Sequence, residues 1–506
     1  MRLRELVDTS VAVGATRSRT AKRDALAALL AHAAPEEVPA AVAFGSGTLL
    51  QRQIGAGQAL ISDAPAPAAD SSLTVAEVAE TFAWVGALAG AGSVGARREL
   101  VHGLLARADA DEQRFLIRLL LGDLSQGALA GVMVEAVARA AGLPAGEVRR
   151  ALMLRGDLPA VAALALTEGL AGLGALRLAV GRPVAPMLAG TAADLAAALA
   201  RIAPAAVEWK LDGARIQVHR DGEDVQIFTR TLDEVTPRLP EVVAAVRALS
   251  ARSLVLDAEV IALAQDGRPR PFQVTAARFG ARRDVEALRR ATPLTAFLFD
   301  VLHRDGADLL DAPGSERAEH LAALAPAALR VPRVVARDLA SAQAVLDDAL
   351  SRGHEGVMVK SLDAPYAAGR RGSEWLKVKP VHTLDLVVLA AEWGHGRRRG
   401  SLSNLHLGAR DGMSWAMLGK TFKGLTDAML SWQTERLLAL EERRDSHTVH
   451  VRPELVVEIA CDGVQLSTRY ASGFALRFAR VKRYREDKPA AEADTLDAVR
   501  ALAPQG

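Results

Sequence analysis

Between Glu208 and Gly222 the chain reads E-W-K-L-D-G-A-R-I-Q-V-H-R-D-G, and one lysine, Lys210, interrupts a strand-like pattern just before an Asp-Gly pair. A free lysine amine has a pKa of about 10.4, so at neutral pH it is protonated and not nucleophilic. Attack on phosphorus or a carbonyl needs partial desolvation or a neighbouring cation, either of which lowers that pKa. A strand end can hold Lys210 rigidly in a sheet pocket, and Arg215 on the next strand can reach a sugar or phosphate beside the amine. Taken alone, K-x-D-G-x-R suits a structural hairpin lysine as well as a nucleophile.

Three later stretches add to it. Asp257-Ala-Glu259 closes the apolar run Leu254-Val-Leu256 with two carboxylates. Glu355-Gly-Val-Met-Val-Lys360 sets a carboxylate before a strand and a lysine at its end. Trp375-Leu-Lys377-Val-Lys379 alternates, so both lysines share a face with Trp375. A nucleophile candidate, acidic metal-ligand candidates and a lysine pair make the inventory for nucleotidyl transfer. Carboxylates hold a hard cation such as magnesium, while lysines neutralise a triphosphate and its leaving pyrophosphate.

The elements that must position these residues fall into three textures. At 506 residues the chain exceeds one ordinary core. Residues 1–180 read as helical: Ser18 caps a segment that puts Leu26, Leu29 and Leu30 on one face, and Asp111 opens another carrying Phe115, Leu116, Leu119 and Leu120. Prolines at Gly181-Arg-Pro-Val-Ala-Pro mark a linker. Residues 181–382 alternate strands and helices, with Ala206–Lys210, Ala214–Arg220 and Asp224–Arg230 expected as hairpins joined by Asp-Gly turns. That predicts an α+β domain on antiparallel sheet. Residues 383–506 hold short strands between Gly-rich or basic loops, the pattern of a small barrel. Within them, Gly394-His-Gly-Arg-Arg-Arg-Gly400 suits either a solvated loop or a phosphate contact.

The single cysteine, Cys461, excludes a disulfide framework or a four-cysteine zinc module and fits a reducing cytoplasm. No apolar run reaches membrane-spanning length, and Met1-Arg-Leu-Arg-Glu5 lacks the apolar core of a secretory signal. The balance of 62 basic to 60 acidic residues means that a nucleic-acid partner would require local basic patches.

In order, K-L-D-G-A-R, D-A-E, F-L-F-D, E-G-V-M-V-K and W-L-K-V-K resemble the motif series of covalent nucleotidyltransferases, specifically ATP-dependent DNA ligases. The stretch Leu476-Arg-Phe-Ala-Arg480 through Lys488 is similar to the family's last motif, which closes over ATP. The resemblance implies an all-α DNA-binding domain, an α+β nucleotidyltransferase domain with antiparallel sheets, and a C-terminal OB-fold β-barrel. It implies Lys210 as the nucleophile that becomes lysyl-AMP, Glu208 as reader of adenine and Phe299 as its stacking partner. Arg215, Arg230 and Glu259 would hold ribose or neighbouring phosphates, with Glu259 and Glu355 near a Mg2+ or other divalent ion. Arg371, Lys377 and Lys379 would bind the triphosphate, and Arg477, Arg480, Asp487 and Lys488 would orient pyrophosphate. The implied partners are ATP and nicked duplex DNA, encircled by a cytoplasmic monomer. Ala258 stands where the family often has Gly or Thr, a small residue that preserves backbone approach. Leu124-Ser-Gln-Gly-Ala-Leu-Ala-Gly131 resembles a ligase DNA-contact segment and equally suits a tight helix junction.

Four rivals share parts of this pattern. An mRNA-capping-type guanylyltransferase or an RNA ligase has the lysine motif, but the long helical N-terminal region argues against the former. An NAD-dependent ligase would bring a zinc module that one cysteine cannot supply. A catalytically inert nick-binding scaffold would not need the intact set of nucleophile, carboxylates and lysines.

Overall fold

Helix caps fix the start of the helical region. Ser18 Oγ accepts from Ala21 N at 3.3 Å ahead of helix Arg19–Ala31, whose Leu26, Leu29 and Leu30 are buried. Asp109 caps helix Ala110–Leu120 in a reciprocal box with Glu112, and Asp111 and Glu112 form the acidic first turn that the sequence predicts. These elements belong to a computed structural model that describes residues 1–503 except 52, 53, 56, 62, 91, 125–128 and 368–370; the side chains of Gln58, Ala59, Leu129, Arg371 and Arg397 also lie outside it. Most of the small-residue stretch after Leu124 therefore falls outside the described residues. Up to Gly174 every regular element described is a helix, packed around two apolar clusters, one built on Phe44 and Phe82, the other on Met133 and Val137.

Ten strands follow: β1 (Leu188–Thr191), β2 (Ala205–Lys210), β3 (Ala214–Asp221), β4 (Asp224–Thr229), β5 (Ser253–Ala262), β6 (Leu294–Arg304), β7 (Ala307–Asp308), β8 (Arg333–Ala336), β9 (Gly356–Ser361) and β10 (Arg371–Val378). They form two sheets, ordered β1-β10-β9-β2-β8 and β4-β3-β5-β6-β7, antiparallel except where β1 meets β10. Each has its own apolar core: Val207, Val357, Val359 and Leu376 in the first, Ile216, Val218, Leu254 and Leu256 in the second. Strand alternation then turns the polar residues of both sheets toward each other.

Asp212-Gly213 is not the hairpin turn its sequence predicts. β2 pairs with β8 and β9, whereas β3 pairs with β4 and β5, so the dipeptide carries the chain from one sheet to the other. The reason is close packing on β5. A Cβ at Gly213 would lie 2.4 Å from both Val260 O and Ile261 Cγ2. The second Asp-Gly, at Asp221-Gly222, does close the β3–β4 hairpin, with Gly222 at φ 59°.

The C-terminal region is β-rich. β11 (His382–Trp393) pairs with β12 (Leu402–Asp411), β15 (Thr448–Val451) and β16 (Val456–Cys461), while β13 (Ser414–Thr421), β14 (Glu441–Arg444) and β19 (Arg480–Tyr484) extend the sheet. Because β11 gives its first half to β16 and its second half to β15, the sheet curls around a core of Leu386, Leu405, Leu407 and Ile459. Strands β17 (Gly463–Leu466) and β18 (Phe474–Arg477) form a separate ribbon. Among the described residues, no helix is long and apolar enough to cross a membrane.

The linker is stitched to β3. His219 Nδ1 accepts from Gly181 N at 3.0 Å, and its Nε2 donates to Gln217 Oε1 at 2.9 Å; that same oxygen takes Val184 N at 2.8 Å. Burial, helped by nearby His303, brings the His219 pKa down to about 4. An unfolded chain takes up this proton near 6.5, so stability present above pH 6.5 is lost progressively as pH falls toward 4. The separation is worth up to about 3 kcal/mol. Urea midpoints at pH 7 and pH 4.5 should therefore differ more in the wild type than in His219→Asn, and equal differences would refute this tether.

Candidate active site

Between the facing sides of the two sheets lies a cavity of about 550 Å³, lined by charged and aromatic residues together. Glu208, Lys210, Arg215, Arg230, Glu259, Phe299 and Lys377 all line it, so seven of the sequence-predicted positions converge from β2, β3, β5, β6, β10 and the end of β4. Glu208 and Lys210 are same-face neighbours on β2, about 7 Å apart along the strand.

At the mouth, the Lys210 ammonium contacts the Glu355 carboxylate, which also accepts from Lys379 Nζ at 2.6 Å. Burial alone would raise the Glu355 pKa, yet Lys210 and Lys379 hold it below the usual carboxylate range. Gly356 is required beside it: its φ is 142°, and a Cβ there would lie 2.3 Å from Val378 O. Glu259 behaves in the opposite way. Burial raises its pKa to about 7 despite the opposing pull of Lys210 and Arg215, so near neutrality its carboxyl is poised between its two charge states.

Arg215 is more committed than its sequence position suggests. Its guanidinium makes paired bonds to Asp257 at 2.9 and 2.5 Å, and further bonds to Met187 O at 2.7 Å and Tyr366 Oη at 3.2 Å. Tyr366 in turn donates to Asp257 at 2.7 Å and accepts from Met187 N at 3.0 Å. Phe299 and Trp375 stand edge to face at 6.1 Å between centroids. Glu208 is engaged by Lys360 and lies 3.7 Å from Arg333 Nη1. Arg230 stands exposed at the rim, and the Arg371 side chain lies outside the described residues.

The C-terminal region reaches into this site. Arg477 Nη1 and Nη2 bind Asp212 at 2.7 and 3.2 Å, and Asp462 joins Lys379 at 2.6 Å to Arg480 at 3.2 Å. Asp487 and Lys488 are not brought to the cavity. Lys488 and Arg485 are both tied to Asp385 on β11, each at 2.8 Å, and Asp487 is held by Arg485. Tyr366 and Asp462 carry no site signal in the sequence, and Lys360 stands there only as the lysine that ends a strand motif; Asp462 is followed by Gly463 and so reads as an ordinary turn. The paired variant Asp462→Asn/Arg477→Gln should loosen this closure, giving a larger radius of gyration in small-angle scattering. An unchanged radius would show that these ion pairs do not hold the C-terminal region down.

With this geometry in place, comparison with known proteins is informative. Residues 186–379 match the family of the ATP dependent DNA ligase domain, 398–488 its C terminal region, and 56–138 the DNA ligase N terminus. A probable DNA ligase of Anaeromyxobacter sp. (strain Fw109-5) is 59% identical, covering 99% of this chain and 98% of that protein. One from Mycobacterium sp. (strain KMS) is 57% identical over 100% of both. The solved structure named Pmar-Lig_PreS3 shares the fold with a TM-score of 0.60 at 18% identity, across 95% of this chain and 99% of that one. On these matches, the chain belongs to the ATP-dependent DNA ligase family.

Proposed function

We propose that Lys210 is the nucleophile with which this ligase seals nicks in duplex DNA. The observation that carries the reading is the placement of its amine at the mouth of a closed-in cavity, against Glu355 and one strand repeat from Glu208. Lys210 loses its ammonium proton to solvent, and Nζ attacks the α-phosphorus of ATP. A P–N bond forms as the bond from that phosphorus to the bridging oxygen breaks and pyrophosphate leaves. The AMP then passes to the 5′-phosphate of the nick, releasing the lysine. The 3′-hydroxyl attacks that phosphate, and AMP departs as the strand is joined. Each step is phosphoryl transfer, where positioning and charge neutralisation do most of the work.

The remaining roles follow from position. Phe299 stacks on adenine and Glu208 reads it. Arg215, fixed by Asp257, offers a stiff cationic wall for the ribose, with Arg230 at the rim. Lys377 and Lys379 take the triphosphate, with Arg371 beside them, and Arg477 and Arg480 bring their charge from the C-terminal region. The units 1–180, 181–382 and 383–506 act as DNA-binding, adenylation and OB-fold domains of a cytoplasmic monomer that surrounds DNA.

A divalent cation fits Glu259 and Glu355. Burial raises the Glu259 pKa to about 7 against the pull of Lys210 and Arg215, so an added cation would favour its charged form. Glu355 supplies a carboxylate already ionised. A cation bound by these two carboxylates would supply charge neutralisation to phosphate oxygens.

Incubation with labelled ATP, GTP and NAD in parallel should label the protein from ATP alone, and Lys210→Ala should remove the label while keeping the wild-type circular dichroism. Label persisting in that variant would identify a different nucleophile. Because protons compete with the cation at Glu259, apparent Mn2+ affinity in the adenylation assay should weaken as pH falls below about 7. Glu259→Gln should flatten that dependence, and a dependence unchanged by Glu259→Gln would take the metal off this residue.

A further inference from the structure

The two residues that pair at the cavity mouth each follow an aromatic ring in sequence: Trp209 precedes Lys210, and His354 precedes Glu355. Those rings also meet, with centroids 4.6 Å apart and planes 30° from parallel. The backbone closes the same corner, because Glu355 N donates to Lys210 O at 3.1 Å. The indole is held by further groups of helix Leu339–Ser351 and the residues just after it. Asp348 accepts from Trp209 Nε1 at 3.1 Å and from Arg352 Nε at 2.8 Å, and the Arg352 guanidinium lies 5.3 Å from the Trp209 ring centroid. Gly353, at φ 85°, ends the helix, and His354 N returns to Ala349 O at 2.9 Å, which turns the chain back toward β2. His354 is 7% exposed, and its Nδ1 has no hydrogen-bond partner among the described residues. What the imidazole offers Trp209 is therefore a flat ring rather than a hydrogen bond through that nitrogen.

We propose that Trp209 and His354 are positioning residues for the adenylation step, their stacked rings holding the Lys210 and Glu355 segments together while the side-chain ion pair opens. The inference rests on the reading of Lys210 as the nucleophile. Once Lys210 gives up its ammonium proton and bonds phosphorus, the ion pair that joins the two segments is gone. The backbone bond and the ring stack need no charge on the amine, so both persist through the step. They keep the end of β2, and with it the attacking nitrogen, at a fixed distance from the phosphate. A displacement of about 1 Å costs on the order of a hundredfold in a reaction that depends on alignment.

The test measures single-turnover lysyl-AMP formation across ATP concentrations. The proteins are wild type, His354→Ala, His354→Phe, Trp209→Leu and the double variant Trp209→Leu/His354→Ala. Leu195→Ala, which thins the core of the same sheet from a different helix, is the control for lost stability alone. His354→Ala should lower the maximal rate about tenfold or more, with the half-saturating ATP concentration changed less than about twofold. Trp209→Leu should lower the rate similarly and gives the readout if His354→Ala does not fold; because Trp209 also borders the cavity, the split between rate and saturation is read on His354. The double variant should lose no more than the worse single variant, since both act through one contact. His354→Phe should restore most of the rate, and Leu195→Ala should keep it. A wild-type rate in His354→Ala, losses that multiply in the double variant, no rescue by His354→Phe, or an equal loss in Leu195→Ala would overturn the proposal while leaving lysine adenylation intact. Absence of any lysyl-AMP in wild type would instead overturn the adenylation reading itself.

Discussion

The shared carboxylate of Glu355 is the interaction on which the site depends. It sits between two lysines that approach from different strands, Lys210 from β2 and Lys379 just beyond β10, and Lys379 carries the connection onward to Asp462 in the C-terminal region. Glu355 thus holds two lysine ammonium groups close together, the charge type that a triphosphate requires. The arrangement is buried enough that the charges act at reduced dielectric, and so at greater strength than exposed pairs would. The tight backbone at Gly356 is what lets the carboxylate stand between both strands.

Away from that centre the cavity divides its charge. The base end holds a neutralised pair, Glu208 with Lys360, whereas the phosphate end gathers lysines around Glu355. Asp257 and Tyr366 brace Arg215 along one wall, which gives the cavity a stiff side against which a sugar can be placed. Positioning of this kind is the main resource available to an enzyme of phosphoryl transfer.

The strands, their alternation and the ordered lysine and carboxylate motifs were legible in the chain because all depend on local period and spacing. The partner of each strand was not. Asp212-Gly213 carries the same local signal as Asp221-Gly222, yet only the second closes a hairpin, because what decides the first is contact with β5 about fifty residues further on. Asp462 and Tyr366 were hidden for a related reason. Asp462 meets a lysine 83 residues away and Tyr366 meets an aspartate 109 residues away, and neither has a neighbour in sequence that signals it. Asp487 and Lys488 show the converse, since motif membership did not reveal that the Asp385 side chain anchors this end of the motif to the barrel, Lys488 directly and Asp487 through Arg485.

The division of each sheet into an apolar and a polar face has an evolutionary corollary. Along β2, Ala205 and Val207 serve their own core while Glu208 and Lys210 serve the cavity. Neighbouring codons are thus answerable to different selective demands, one to folding and the next to substrate. Drift in the packing residues can proceed without disturbing nucleotide choice, and nucleotide choice can be retuned without reopening either core.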